Sequence, residues 1–167
     1  MGSTCASHCV MHEDLDRDVS AALATGTDDT CFAAALAVVQ RAFGAVMGTL
    51  HRLGDDEHLH LVAASPGLPE PVLAASRRIP LGKGIAGEAA ATAKPVTLCN
   101  LQTDTSGVAR PGAKATGLGG SLCVPTFDGD QVVGTLGIGW MGERTITDDE
   151  TAQLLAAGRT IGAALAR

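Results

Sequence analysis

The sequence predicts one α+β domain in which a central antiparallel sheet of five to six strands packs against helices. Two pairs of short strands are each joined by a tight turn, which is typical of antiparallel hairpins. Helical patterns open and close the chain, so strands and helices do not alternate as they do in a parallel α/β fold. With 167 residues, 46% hydrophobic and 18% charged, the chain has the size and composition of a single globular domain.

Composition excludes several classes of function. A net charge of −6 with scattered Lys and Arg, and a content of three Phe, one Trp and no Tyr, leave little to attract phosphates or stack on bases, so nucleic acid is not expected as a partner. The sequence has no signal peptide and no run of about 18 apolar residues, and we therefore expect a cytoplasmic protein without membrane contact. Its five cysteines should be reduced there.

The helical part of the sequence begins after an N-terminal segment. Residues 1–14 have no apolar periodicity and are interpreted as a tail or helix extension in front of the domain at residues 15–167. A first helix is predicted from Leu15 to Leu23. A second begins at the N-cap candidates in residues 28–30 and ends at Gly44.

Strand signals follow the second helix. One hairpin is predicted over residues 46–51 and 58–64, where the apolar pattern shifts towards a period of two. Another is predicted over residues 121–127 and 131–140, because the Asp-Gly step between them favours a type I′ turn. Residues 96–100 form a further predicted strand.

A long loop and a final helix complete the chain. Residues 101–120 are rich in Gly, Thr and Ser, and a loop of that length in a small domain is usually functional. Thr147 and Glu150 form a capping box that starts the last helix. Gly158 and Gly162, four residues apart, predict a flat strip that another helix could approach.

A glycine-rich turn lies near the middle of the chain. Gly82, Gly84 and Gly87 match the dinucleotide-binding string, but Pro80 precedes them and Pro95 shortens the helix that follows, so the required strand and crossover helix are missing. The pattern instead indicates a strand, a sharp turn and a helix start. Two interpretations remain: the helix start holds an anion or a carbonyl group, or the glycines serve only the turn and the packing.

Several short motifs occur in a characteristic order between about Leu59 and the C-terminus. They are His58–Gly67, Ile79–Gly87, Lys94–Val96, Ser121–Pro125, Val133–Leu136 and Thr147–Glu150. In this order and spacing they resemble a GAF domain, the ligand-binding module of signalling proteins. The resemblance implies a three-layer α/β/α fold with the terminal helices on one face of the sheet and a ligand pocket on the other. It also implies that the terminal helices pair two chains into a homodimer.

The residues argue against most specialised branches of that family. The sequence lacks the Asn-Lys pair of the cyclic-nucleotide branch, and neither Cys99 nor Cys123 has the neighbouring His of the bilin branch. The free methionine-sulfoxide reductase branch keeps a cysteine in the glycine turn where this chain has Ala86. We therefore expect a receptor or sensor in preference to an enzyme, acting on a separate signalling partner such as a sensor kinase or regulator.

The resemblance also implies where a ligand would bind, between the sheet, the helix after the glycine turn and the loop at residues 101–120. The ligand is a small molecule or an anion, for which Lys83, Arg110 or Lys114 could supply charge. A thiol-based reductase that uses Cys99 and Cys123 is a third hypothesis. The candidate ligand-binding residues are Gly84, Ile85, Ala86, Gly87, Cys99, Arg110 and Cys123.

The N-terminal segment carries a possible metal-binding pattern in Cys5, His8, Cys9 and His12. On a helix these residues share one stripe, and their thiolates and imidazoles suit a soft ion such as Cu, Zn or Fe. The alternative function is accordingly a metal- or redox-responsive sensor. Four ligands spread over about 10 Å of helix cannot hold one ion without a bend or a second chain, so a tail with accidental Cys and His is the competing interpretation.

Three histidines on the first hairpin offer a second pattern of metal-binding residues. His58 and His60 share one face of their strand, and His51 lies on the strand predicted to pair with it. Histidines on the strand surface are the more frequent case for such a pattern.

Overall fold

The two hairpin turns place consecutive strands side by side, and the computed structural model shows the sheet that results. It describes residues 5–26, 28–109 and 111–167, with side chains from Asp14 onward. The strands are β1 (Met47–Leu53), β2 (His58–Ala64), β3 (Arg78–Pro80), β4 (Val96–Leu98), β5 (Ser121–Asp128) and β6 (Gln131–Gly139). The helices are α1 (Cys5–Leu23), α2 (Asp29–Phe43), α3 (Glu70–Ser76), α4 (Gly84–Thr92), α5 (Pro111–Lys114) and α6 (Asp148–Leu165).

Within the described ranges the six strands form one sheet in the order β3-β2-β1-β6-β5-β4. Every pairing is antiparallel, and both predicted hairpins, β1 with β2 and β5 with β6, are present. The predicted α+β class with a central antiparallel sheet is therefore confirmed. None of the described helices is both long and apolar enough to cross a bilayer.

The main core lies between the sheet and a layer made of α1, α2 and α6, which contact one another. Even-numbered residues of β5 and β6 point into this layer, as the period of two requires. Fully buried side chains of the core include Val19, Leu36, Val39, Leu50, Leu122, Val124, Leu136, Leu154 and Ile161. The terminal helices thus share one face of the sheet.

Helix ends follow the local capping residues. The Asp28 side chain accepts a hydrogen bond from the backbone of Thr30 to start α2, and Gly44, with a φ of 60°, ends it. The capping box of Thr147 and Glu150 starts α6 as predicted. Helix α1 begins at Cys5, ten residues before the start that apolar periodicity indicates.

The two glycines of α6 pack against the chain's own sheet. A Cβ atom on Gly162 would lie 2.6 Å from the backbone nitrogen of Phe127 and closer still to its carbonyl oxygen. A Cβ atom on Gly158 would lie 3.2 Å from the carbonyl oxygen of Pro125. The predicted strip for an approaching helix is therefore wrong, because β5 already occupies it, and the glycines supply no support for pairing of two chains.

The opposite face of the sheet is covered by α3, α4, α5 and the loop that contains α5. Helix α3, which the sequence pattern does not reveal, has a proline in its first turn and packs on β2 and β3. The loop predicted at residues 101–120 includes α5. Its buried residues Leu101, Ala109 and Leu118 form a second, smaller core with Met47 and Ile85.

Candidate functional site

The glycine turn before α4 is built by local geometry. Gly82 and Gly84 have φ values of 79° and 68°, a conformation that residues with a side chain rarely adopt. A Cβ atom on Gly87 would lie 2.6 Å from the carbonyl oxygen of Pro80, so this glycine lets α4 pack against β3. All three glycines have a structural role, and the turn brings the first residues of α4, Gly84 and Ile85, to the edge of a cavity.

The cavity lies between the sheet face opposite the main core and the cover of α3, α4 and α5. Its volume is about 550 Å³, within the range of roughly 300 to 1,000 Å³ that is typical of ligand sites. Thr49, Gly137 and Cys123 stand in register across β1, β6 and β5 and form its floor. Because Gly137 has no side chain, the floor is open at its centre.

The walls of the cavity are apolar. One wall comes from α3 and the loop before it, a second from β3 and the start of α4, and a third from the loop that carries α5. Each wall contributes aliphatic side chains. The first wall has Leu68 and Val72, the second has Ile79 and Ile85, and the third has Leu101 and Leu118.

Four hydroxyl groups line the cavity, and two of them are already bonded. The Ser76 hydroxyl donates to the Val72 carbonyl oxygen at 2.8 Å, and the Thr116 hydroxyl donates to the Ala113 carbonyl oxygen at 2.6 Å. The hydroxyls of Thr49 and Ser121 make no hydrogen bond to any described residue. These two groups are free to bond a bound molecule.

Among the described residues, two cations border the cavity, and neither lies in its interior. Lys83 precedes α4 with an exposed side chain. Arg78 contributes to the lining, and it stands opposite His60 where β3 pairs with β2 at the edge of the sheet. Its guanidinium donates to the Asp56 carboxylate at 3.0 Å. Hydrogen bonds first from His60 and then from Arg78 hold the pKa of the exposed Asp56 carboxyl well below its usual range.

His51 of β1 holds α3, which forms one wall of the cavity, against the sheet. Its ring is 1% exposed, and its Nε2 lies 2.9 Å from the carbonyl oxygen of Ser76, the last residue of α3. Since a carbonyl can only accept, Nε2 carries the proton and Nδ1 is an acceptor, which has no partner among the described residues. Burial lowers the pKa of His51 to about 4, so the imidazole is neutral and fastens α3 to β1.

This position corrects the interpretation of the hairpin histidines. His51 is a buried anchor instead of a surface residue, whereas His58 and His60 both face Asp56 on the outer side. Across the part of the chain that the structure describes, no group of three or more Cys, His, Asp or Glu side chains could hold a metal ion. The three histidines therefore do not form a metal site.

The predicted ligand-binding residues are only partly brought together. Gly84, Ile85 and Cys123 line the cavity. Ala86 and Gly87 belong to α4 but not to the lining, and Cys99 is exposed just beyond β4. Arg110 lies outside the described residues.

Cys99 does not lie opposite Cys123 in the pairing of β4 and β5. Val96 is opposite Cys123 in the register of β4 and β5, so Cys99 lies three residues further along, about 10 Å at the usual rise of a strand. Disulfides need Cα atoms within about 7 Å. Burial also raises the pKa of Cys123 to about 12. The reductase hypothesis based on these two thiols is not supported by this geometry.

A thiol-labelling experiment checks this description. A short pulse of N-ethylmaleimide at pH 8, followed by peptide mass spectrometry, should modify the exposed Cys99 and leave Cys123 unmodified. The raised pKa of Cys123 lowers its thiolate fraction on the order of a thousandfold, and the thiolate is the reactive form. Labelling in denaturant provides the control, in which both react. Equal labelling rates in the native protein would contradict the buried, protonated state of Cys123.

The N-terminal Cys and His residues lie on a described helix but have no described side chains. The backbone of α1 is helical from Cys5, so Cys5 and Cys9, like His8 and His12, are one turn apart on the same side. The positions of these four side chains lie outside the described residues. Metal binding there remains a prediction.

Three lining residues, Thr49, Ser121 and Gly137, were not identified from the sequence as candidate site residues. Gly137 lies inside β6, as Gly134 does, and a glycine inside a strand often marks a close approach by a ligand or another backbone. That signal could have identified Gly137. Thr49 and Ser121 carry no comparable signal, because hydroxyl residues are common in strands and the face on which such a residue lies depends on register.

Comparison with known proteins agrees with the geometry. A family model described as GAF domain matches residues 26–166, so the match also includes the part of the chain from Gly26 to Leu59. A search of curated proteins found no significant match. Structural comparison, in contrast, found many similar chains.

Three solved structures illustrate the likeness. The GAF domain of an Acinetobacter phosphoenolpyruvate-protein phosphotransferase has a TM-score of 0.77 at 16% identity, covering 93% of both chains. The free methionine-R-sulfoxide reductase of Neisseria meningitidis, solved with its substrate, has a TM-score of 0.76 at 17% identity, covering 99% of this chain and 94% of its own. A putative GAF sensor protein from Burkholderia vietnamiensis has 0.73 at 18%, covering 92% of both. At these identities the likeness shows the fold alone.

Proposed function

The chain belongs to the GAF domain family, and on that premise we propose that it is a receptor module whose cavity binds a small molecule and signals its presence to a separate protein. The observation that carries the proposal is the cavity of about 550 Å³, walled by the sheet, α4 and the loop that contains α5. Its apolar lining with a few polar groups is typical of ligand sites.

The chemistry of the lining favours a receptor over an enzyme. One structural neighbour is a sulfoxide reductase. That branch of the family keeps a cysteine in the glycine turn, and this chain has Ala86 at that position. Cys123, the cysteine that lines the cavity, is protonated because burial raises its pKa to about 12. The nearby imidazole of His51 is bonded to the backbone of α3. No activated nucleophile is present among the described lining residues.

The cover of the cavity offers a route for the signal. Helices α3 and α5 contact each other, and both contribute to the lining of the cavity. A ligand changes a conformational equilibrium only by binding one state more tightly, and in this proposal those states differ in the position of the loop that contains α5. The recipient in this proposal is a sensor kinase or regulator, reached through the loop or through a dimer of the terminal helices.

Filling the cavity floor tests the proposal. Gly137→Leu should weaken binding of the neutral fluorescent probe N-phenyl-1-naphthylamine at least tenfold, because the new side chain enters the space above Thr49 and Cys123. The substitution is sterically feasible: a Cβ atom at this position would lie 3.5 Å from Thr49 Oγ1 and 3.6 Å from Cys123 Sγ, which are ordinary contacts. Probe fluorescence in a titration measures the effect.

Gly137→Ala is the matched control. Its single methyl group occupies little of the cavity, so probe affinity should fall by less than the leucine variant shows. Thermal unfolding of both variants should remain cooperative, which separates a filled cavity from a lost fold. Unchanged probe binding by a folded Gly137→Leu protein, or no probe binding by the wild type, would overturn the proposal.

A further inference from the structure

We infer that the ligand is an uncharged, predominantly apolar molecule that carries a hydroxyl or carbonyl group, and that Ser121 binds this group. The inference rests on the proposed function and names the chemical class of ligand for the same cavity. It follows from three properties of the lining: its aliphatic walls, the absence of interior charge among the described residues, and its unbonded hydroxyls.

The aliphatic walls determine the character of most of the ligand. Leu68, Val72, Ile79, Ile85 and Leu118 surround the cavity from three sides. Each apolar carbon that enters the cavity contributes favourably because it leaves water. No described aromatic side chain lines the cavity, so the walls have no ring on which a nucleobase could stack. These walls favour aliphatic or alicyclic carbon skeletons.

The charged side chains of the described lining lie at its edge. The Arg78 guanidinium is held by Asp56 on the outer face of the sheet edge, and Lys83 is exposed at the rim. The thiol of Cys123, on the floor, is protonated and neutral. A charged group brought inside would lose its water without gaining an opposite charge from the described lining, and burial of an unpaired charge is costly. A neutral ligand avoids that cost.

Ser121 supplies the polar contact. This residue is 9% exposed, lines the cavity and makes no hydrogen bond to any described residue. The Ser121 oxygen is not among the fully buried polar atoms without a partner, so it is accessible, and a bound hydroxyl or carbonyl group would give it a hydrogen-bond partner. Because a serine hydroxyl can donate and accept, either group fits. Thr49, half-buried on the far side of Gly137, offers a second unbonded hydroxyl.

A series of ligands with one chain and three head groups tests the class. Octan-1-ol, octanoate and octylammonium share an apolar chain and differ in charge at pH 7. Displacement of N-phenyl-1-naphthylamine from the wild-type protein should give octan-1-ol a Kd at least tenfold lower than that of either ion. Tighter binding of octanoate or octylammonium would overturn the inference while leaving the proposed function intact, because the cavity would still bind a small molecule.

Two serine variants test the polar contact. Ser121→Ala should weaken octan-1-ol binding about fivefold, as expected for loss of one neutral hydrogen bond, and leave binding of the hydrocarbon ethylbenzene unchanged. Ser76→Ala is the matched control, because its hydroxyl also lines the cavity but is already bonded to the Val72 carbonyl, and octan-1-ol affinity should not change. Equal effects of the two variants on octan-1-ol would overturn the role of Ser121. Failure of the probe to bind wild-type protein would instead contradict the proposed function.

Discussion

Gly162→Ala should destabilise the protein by about 2 kcal/mol, although alanine is the better helix former. A Cβ atom there would meet the backbone nitrogen of Phe127 at 2.6 Å and its carbonyl oxygen closer still. Both atoms belong to β5, so α6 must move away from the sheet and loosen the main core. Overpacking of this kind costs about 3 kcal/mol, and helix propensity returns about 1 kcal/mol.

The predicted loss corresponds to a fall in Tm of about 4 to 8 °C for a domain of this size, measured by calorimetry or circular dichroism. Gly158→Ala is the matched control on the same helix. Its Cβ atom would lie 3.2 Å from the carbonyl oxygen of Pro125, a contact that a small shift relieves, so the change in Tm should be clearly smaller. Equal Tm values for the Gly162→Ala variant and the wild type would show that α6 is not seated on β5 as described.

Acidification should remove about 3 kcal/mol of stability through His51 alone. Burial lowers the pKa of this imidazole from 6.5 to about 4 in the folded protein, and each pKa unit corresponds to about 1.4 kcal/mol. The unfolded chain therefore binds a proton at a higher pH than the folded chain does. Stability from this group is fully present above pH 6.5, falls as the pH drops from about 6.5 to about 4, and then stays constant.

His51→Gln isolates that contribution. A glutamine amide can donate to the Ser76 carbonyl but does not titrate, so the stability difference between wild type and variant should shift by about 3 kcal/mol from pH 7 to pH 4. Urea denaturation at several pH values measures it. Parallel pH profiles for wild type and His51→Gln would contradict the buried neutral imidazole.

The local patterns of the sequence predicted much of the fold. Asp28 and Gly44 delimit α2, and Thr147 with Glu150 starts α6, because caps act through residues a few positions away. The Asp-Gly turn likewise predicted the second hairpin. The extension of α1 back to Cys5 was not predicted, since those ten residues lack the apolar periodicity on which the prediction depended.

The candidate site was harder to predict, because tertiary contacts determine it. Gly158 and Gly162 indicate close packing in the sequence, but only the fold shows that the partner is β5 rather than another helix. His51 and His60 are indistinguishable as letters, yet one is buried under α3 and the other is exposed. Cys99 was placed near the cavity, and the register of β4 shows it beyond the strand end.

The glycine turn shows both sides of this difference. Gly82 and Gly84 were expected at a sharp turn, and their positive φ angles agree. Gly87 is required by the Pro80 carbonyl oxygen on β3, a contact that no local pattern contains. The opening at Gly137 arises in the same way, from three strands in register.

Methyl NMR during a titration with N-phenyl-1-naphthylamine tests the central claim, that the cavity of this GAF domain binds a small molecule, most directly. The account predicts saturable shifts in the methyl signals of Ile79, Ile85 and Leu118, which line the cavity, with little change in those of Leu36 and Leu154 in the helical layer. Shifts confined to the helical layer, or no saturable shifts at all, would contradict it.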